Sequence, residues 1–477
     1  MNIASFYFVA YILTTFNNLG ISFHAAKTDY NCIESYNGSS TIIPPINDEM
    51  FRCDGQCIRW QYNNSVNFKQ TIISEFELIC GNEWLSSFSQ SIYQIGYVLS
   101  GILIGFLSDS YGRYRALCVA IVCEIIGGIM LIMSNSIYLY TISRFVLGFG
   151  DSGRGLCLYM LLLETVGKRY RTDSILSTSF GWVIGYLLLP LVAFLLQNYR
   201  YLQMVPTISI SIMCLLWLPY LPESPRWLIT NGRNDQARDL VRRASKRNGK
   251  LDQNFEKKFD QLVTEQTSTE MNQLKPKSKE ESKHNTVWSL LRSRQYCSTT
   301  LILWFSFYIN GFIYHGFNLN VDILGGDVYT NFALAGLFEI PSMLLNLIGM
   351  KYLGRKCFTV GTILSAALCY SIIVMLQVWW PMDHWSIVVC SMLGKMFIFS
   401  TYNAIYIHAG EIFPTELRHS GVSSCSIAAR FGSIVAPFVA SFGVTITMSI
   451  FGLMSFVTAF LTILLPETKD KELVDHI

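Results

Sequence analysis

The chain has 477 residues, 51% of them hydrophobic and only 14% charged, with a mean hydropathy of +0.35; these values exclude an ordinary water-soluble enzyme of this size. Its 36 basic and 33 acidic residues leave a net charge of +3, too weak a field to mark a nucleic-acid binder. The apolar residues come in runs of about twenty, the helical length that crosses a hydrocarbon core of roughly 30 Å, and not in the alternating strands of a barrel.

In chain order, spans with few charges are expected near 1–23, 86–107, 116–133, 138–163, 174–197, 201–221, 297–317, 328–349, 357–379, 385–409, 419–443 and 446–465, twelve in all. The first has the length of a signal peptide but lacks a basic start and a small-residue cleavage site, and removing it would leave an odd number of crossings. Connections alternate in charge. Arg113 and Arg115 follow the second span, Lys168, Arg169 and Arg171 the fourth, Lys351, Arg355 and Lys356 the eighth, and Arg418 the tenth. Basic connections face the cytoplasm, which puts both termini there as well.

Two connections are long. Residues 24–85 carry Cys32, Cys53, Cys57 and Cys80 and glycosylation sequons at Asn37 and Asn63, as an extracellular, oxidised and glycosylated loop would. Four cysteines allow three pairings, and the sequence does not choose among them. Residues 222–295 are dense in charge and include a helix-like run from Asn234 to Arg247, expected as a cytoplasmic loop with surface helices.

Three kinds of marker recur at nearly one period. Gly112-Arg113 and Gly354-Arg355 are 354 − 112 = 242 apart, Glu164 with Arg171 and Glu411 with Arg418 are 418 − 171 = 247 apart, and Pro222-Glu223 and Pro466-Glu467 are 466 − 222 = 244 apart. The shared offset implies two homologous halves of six helices, 1–221 and 296–465, with a tail at 466–477. Parallel six-helix repeats describe the all-α major facilitator fold, in which solute binds between the halves near mid-membrane. Asp109, Arg113, Glu164, Arg171, Glu223, Arg355, Glu411 and Arg418 are expected at the cytoplasmic side as gating ion pairs that latch the halves together.

Gly105-Phe106-Leu107-Ser108-Asp109-Ser110-Tyr111-Gly112-Arg113 resembles the facilitator motif after the second helix, and Pro222-Glu223-Ser224-Pro225-Arg226-Trp227-Leu228 the one opening the central loop. Trp60-Gln61-Tyr62, Thr71 to Cys80, Asn318-Leu319-Asn320, Leu324-Gly325-Gly326-Asp327, Glu339-Ile340-Pro341 and Glu411 to Arg418 resemble the organic ion transporters, which carry organic cations, organic anions and carnitine. Departures from that pattern are Ser110 and Tyr114, where relatives have basic residues, and four loop cysteines where relatives often have six.

Charge inside a membrane costs about 2.5–3.5 kcal/mol at a helix centre on insertion scales and marks pathways or pairs. Arg430 lies about twelve residues into the eleventh span. The resemblance implies an Arg here in anion and carnitine carriers and an Asp in cation carriers, and a guanidinium matches a carboxylate bidentately. The alternative is a buried Arg paired with an acid. Met343 stands where anion carriers have Lys, while Glu339 resembles the cation and carnitine branches. One cation in an otherwise uncharged aromatic cavity suits a solute with a carboxylate and a quaternary ammonium. By resemblance, Tyr186, Phe307 and Tyr314 line that cavity; Tyr402 and Tyr406 are candidates too, read first as packing residues. Lys395 either holds substrate or reaches the outer surface. Asp151 and Arg154 are expected as a structural pair near the outer end, and Glu124 is left unassigned.

The resulting expectation is a plasma-membrane carrier of small organic ions, with a coupling ion or counter-substrate as a further partner and a monomeric transport unit in the lipid bilayer. No cofactor, metal site, ATP-binding loop or enzyme constellation is read from the sequence. A sugar carrier of the same fold and a receptor that has lost transport are the competing readings.

Overall fold

Inside a bilayer only hydrogen bonding within a segment satisfies every backbone group, so the apolar runs form helices. The computed structural model describes residues 3–26, 29–35, 57–63, 69–167, 171–247, 287–292, 294–319, 321, 327–379, 384–414 and 417–469, with short pieces between 249 and 264. At 29–35, 57–61, 171–179 and a few isolated positions it describes the backbone alone.

The first half comprises α1 (Ile3–Leu19), α2 (Ile21–His24), β1 (Asp29–Ser35), β2 (Cys57–Asn63), α3 (Ile72–Phe76), α4 (Trp84–Tyr111), α5 (Arg113–Ile132), α6 (Ile137–Thr165), α7 (Arg171–Leu196) and α8 (Tyr199–Trp217). The connection holds α9 (Pro225–Thr230), α10 (Asn234–Arg247) and α11 (Val287–Arg292). The second half runs through α12 (Arg294–Leu319), α13 (Val328–Leu337), α14 (Glu339–Leu353), α15 (Arg355–Trp379), α16 (His384–Ile412), α17 (Arg418–Ala440) and α18 (Val444–Ile463). Among the described residues eleven helices are long and apolar enough to cross a membrane, and α7 supplies the twelfth crossing. Large apolar side chains such as Phe106, Leu195, Leu215 and Phe460 face outward, while Arg144, Asp151 and Gln94 are buried. That distribution suits a lipid solvent.

The end of the bundle that carries β1 and β2 is termed the loop end, and the opposite one the turn end. At the loop end the two strands pair antiparallel, Asp29 opposite Asn63 and Ser35 opposite Cys57, a ribbon the hydropathy reading does not reveal. Glu75 of α3 pairs with Arg200 at the start of α8. Cys80 is disulfide-bonded, and the nine cysteines beyond the loop are free. Cys53 and Asn37 lie outside the described residues, as do the side chains of Cys32, Cys57, Asn63 and Arg171.

The eighth span, expected as one helix, divides at Phe338 into α13 and α14. Pro341 has no N–H to give the carbonyl of Leu337, and Glu339 sits at the break. In the second half, α12 and α17 approach backbone to backbone. A Cβ on Gly311 would stand 2.1 Å from the Ala429 carbonyl, and one on Gly432 2.1 Å from that of Tyr308. Small residues permit this contact, and it fixes the azimuth of Arg430 between them.

Candidate functional site

Arg430 projects from the middle of α17 towards the first half, its guanidinium carbon 4.1 Å from the ring centroid of Tyr97 on α4. The side chain is only partly buried, and it has no carboxylate partner among the described residues. Tyr11, Tyr402 and Tyr406 are its other aromatic neighbours. Tyr402 and Tyr406 contact each other through their hydroxyls at 3.4 Å. The Tyr406 hydroxyl also donates to Ser426 of α17 at 3.1 Å, and its ring meets Phe307 edge-on at 4.7 Å. These tyrosines therefore pack helices together while bordering the cation.

A second charged group lies towards the loop end. Lys395 of α16 is 3.1 Å from Glu339 of α14 with both side chains buried, donates to the Ala335 carbonyl at 2.9 Å, and sits 4.0 Å above the Tyr186 ring. Tyr314 donates to Glu339 at 2.9 Å and accepts from the Trp182 indole at 3.2 Å. Lys395 thus does not reach the outer surface, and its buried pair with Glu339 stands against Tyr186 of the first half. Tyr186, Phe307 and Tyr314 are buried rather than open to solute. The Tyr186 hydroxyl donates to Asn318 at 2.9 Å, and its ring stacks on Phe332 at 4.5 Å.

The first half holds a polar network. Arg154 pairs with Glu124 at 2.6 Å and Asp151 at 2.5 Å, all with almost no exposure, and donates to the Ala10 carbonyl at 2.9 Å. Asp151 accepts from Thr14 at 3.0 Å and from the Tyr93 hydroxyl at 2.8 Å. Asn17 donates to Glu124 at 2.9 Å. Arg144 stands 4.3 Å above the Tyr93 ring and bonds to Gln90 and the Asn17 carbonyl. Asp151 and Arg154 lie mid-way along the 29-residue α6, not near its outer end. Glu124 brings a second carboxylate to Arg154 from the neighbouring helix.

At the turn end the repeat is realised in three dimensions. Arg113 pairs with Glu164 at 3.1 Å and Arg355 with Glu411 at 2.9 Å, while Asp109 adds a contact of 2.9 Å to Arg113. Glu223 accepts the backbone N–H of Arg113 at 2.9 Å, as Glu467 does that of Arg355 at 3.0 Å. Burial works against charge on Glu467, yet the backbone N–H groups of Lys469, Arg355, Thr468 and Lys356 hold its carboxyl below the usual range. In this structure the pairs Arg113–Glu164 and Arg355–Glu411 each close within one half. Arg418 begins α17 at this end.

A family model described as sugar (and other) transporter matches residues 23–476. A Drosophila melanogaster protein named organic cation transporter protein is 30% identical, over 98% of this chain and 89% of its own length. The chain belongs to the organic ion transporters of the major facilitator superfamily. The human organic cation/carnitine transporter 2 is 28% identical over 88% of the chain and 73% of its own length. Among solved structures, the inward-open xylose transporter XylE of E. coli matches with a TM-score of 0.68 and 18% identity, covering 99% of this chain and 97% of that one. The transporter therefore has the expected twelve-helix fold and is not an enzyme.

Tyr97, Trp182 and Tyr93 escape the sequence reading. In this transporter they are aromatic residues within apolar runs, and only their contacts with Arg430, Tyr314 and Asp151 set them apart from ordinary packing residues.

Proposed function

We propose that the transporter moves small organic ions across the plasma membrane by alternating access, with carboxylate-bearing solutes, either carnitine-like zwitterions or organic anions, preferred. The observation that carries this reading is the guanidinium of Arg430, which faces the opposite half over an aromatic ring with no carboxylate partner among the described residues. Arg154 and Lys395, by contrast, direct their charge to acids. The surrounding tyrosines suit an ammonium group on the same solute, and one human relative carries carnitine in its name. Transport of organic cations is the second reading, favoured by the Drosophila relative's name and by Glu339, one of whose carboxylate oxygens is buried without a hydrogen bond.

The basic connections at the turn end orient it to the cytoplasm, leaving the disulfide-bearing first loop outside. Contacts between the halves run from mid-depth to the loop end. They include Ser22 to the Asn318 carbonyl at 3.0 Å, Ser91 to that of Ile434 at 2.6 Å, and Phe23 against Phe332 at 4.8 Å. This distribution supports an inward-facing state in which solute reaches Arg430 from the turn end. The two halves rock as units, exchanging solute with a coupling ion or counter-substrate, in a monomeric carrier.

Uptake of labelled carnitine, an organic anion and tetraethylammonium in cells expressing the chain tests the reading. A charge-assisted hydrogen bond contributes about 1.5–3 kcal/mol, so Arg430→Asp is expected to lower carboxylate uptake roughly 10- to 150-fold. Unchanged carnitine or anion uptake in a well-folded, surface-expressed variant would overturn the charge preference.

A further inference from the structure

A cleft of about 360 Å³ opens at the turn end between the α4–α5 turn and the α9–α10 pair, within the size range of small-ligand sites. Arg115, Arg233 and Arg243 line it together with Tyr111, Tyr114 and Trp227. The three arginines are exposed, and none has a carboxylate partner among the described residues. Arg243 bonds only to a carbonyl of its own helix, at 3.3 Å from that of Asp239. Arg233 lies 5.3 Å over the Trp227 ring, and that ring is fixed by an indole bond of 2.8 Å to the Asp109 carbonyl.

The neighbouring arginine provides a contrast. Arg238, on the same helix but not in the cleft, pairs with Asp260 at 2.8 Å and Glu256 at 3.5 Å. Of the two acids in the cleft, Glu223 is occupied by the N–H groups of Arg113, Tyr114 and Ser224, leaving Asp239 against three guanidiniums. Arginine forks match phosphate oxygens bidentately, and a phosphate monoester brings about −1.5 to −2 charges. Tyr111 is exposed at the last turn of a membrane helix, where aromatic side chains sit at headgroup depth.

We propose that this cleft binds the phosphorylated headgroup of an anionic lipid in the leaflet facing the turn end. The same chemistry would accept a soluble polyol phosphate, so the lipid and the free anion are separate arms of the test. The reading of Arg430 is not needed; only the leaflet's identity rests on the orientation proposed above.

The purified full chain is titrated in neutral detergent with short-chain phosphatidylinositol bisphosphate and, separately, with inositol trisphosphate, following the melting temperature. Saturable, salt-sensitive stabilisation is expected. Each arginine near a membrane surface is worth roughly fivefold, so the triple variant R115Q/R233Q/R243Q should bind on the order of 100-fold more weakly. R238Q should bind as the unaltered chain does. Tighter binding of the lipid places the ligand in the leaflet, and tighter binding of the free phosphate places it in solution; both support the site. No binding in either arm, equal binding by the triple variant with its unliganded melting intact, or an equal loss in R238Q would overturn it. Because transport is not measured, failure here leaves the solute preference untouched.

Discussion

Replacing Arg154 with Met removes the one guanidinium that pairs with both Glu124 and Asp151 and leaves two carboxylates buried with almost no exposure. Breaking a buried pair by removing one partner costs about 3–5 kcal/mol, because the remaining charge is desolvated without compensation. Here the lost contacts also include the bonds to the Ala10 carbonyl and Thr14. A unit the size of the first half loses about 2–4 °C of melting temperature per kcal/mol, so Arg154→Met should melt roughly 6–20 °C lower. The triple variant R154M/E124Q/D151N removes every charge while keeping similar volumes, and it should recover most of that loss. Melting of the detergent-purified chain, followed by tryptophan fluorescence, reads both. A single variant within about 1 °C of the unaltered chain, or a triple variant as unstable as the single, would refute the balance-of-charge reasoning.

Lys395→Met strands Glu339 in the same manner and should lower both melting temperature and uptake. E339Q/K395M should regain melting but not uptake, and full uptake by that double variant would exclude the pair from transport. Gly112→Ala places a Cβ 2.3 Å from Glu223 on a backbone with φ +107°. It should destabilise by about 1–3 kcal/mol, more than Gly354→Ala, whose Cβ meets Glu467 at 2.9 Å. Melting curves for the two variants check the order, and an unaffected Gly112→Ala would contradict the conformational argument.

The repeat shows how far a linear pattern reaches. Gly112 and Gly354, Glu223 and Glu467, and Arg113 and Arg355 recur in sequence, and each pair takes the same place in space, a left-handed glycine followed by a helix start capped by a glutamate. These features are local to helix ends, so spacing alone exposes them. What the markers bind to is not local. The same residues suggest a latch between halves, whereas the partners of Arg113 and Arg355 lie 51 and 56 positions away within their own half. The break at Phe338 was legible in principle, since Pro341 lacks the required donor, but a hydropathy window averages over one missing bond.

The sequence by itself determined the membrane class, the twelve crossings, the two-fold repeat and the intramembrane charges, because burial in lipid and the span of a bilayer act on each segment separately. Only the tertiary structure decided which of those charges are neutralised. Glu124 joins Arg154, Glu339 joins Lys395, and Arg430 meets the ring of Tyr97. Each of these partnerships depends on the azimuth at which two helices pack, set by close contacts such as those at Gly311 and Gly432, and no pattern along a single helix encodes that angle.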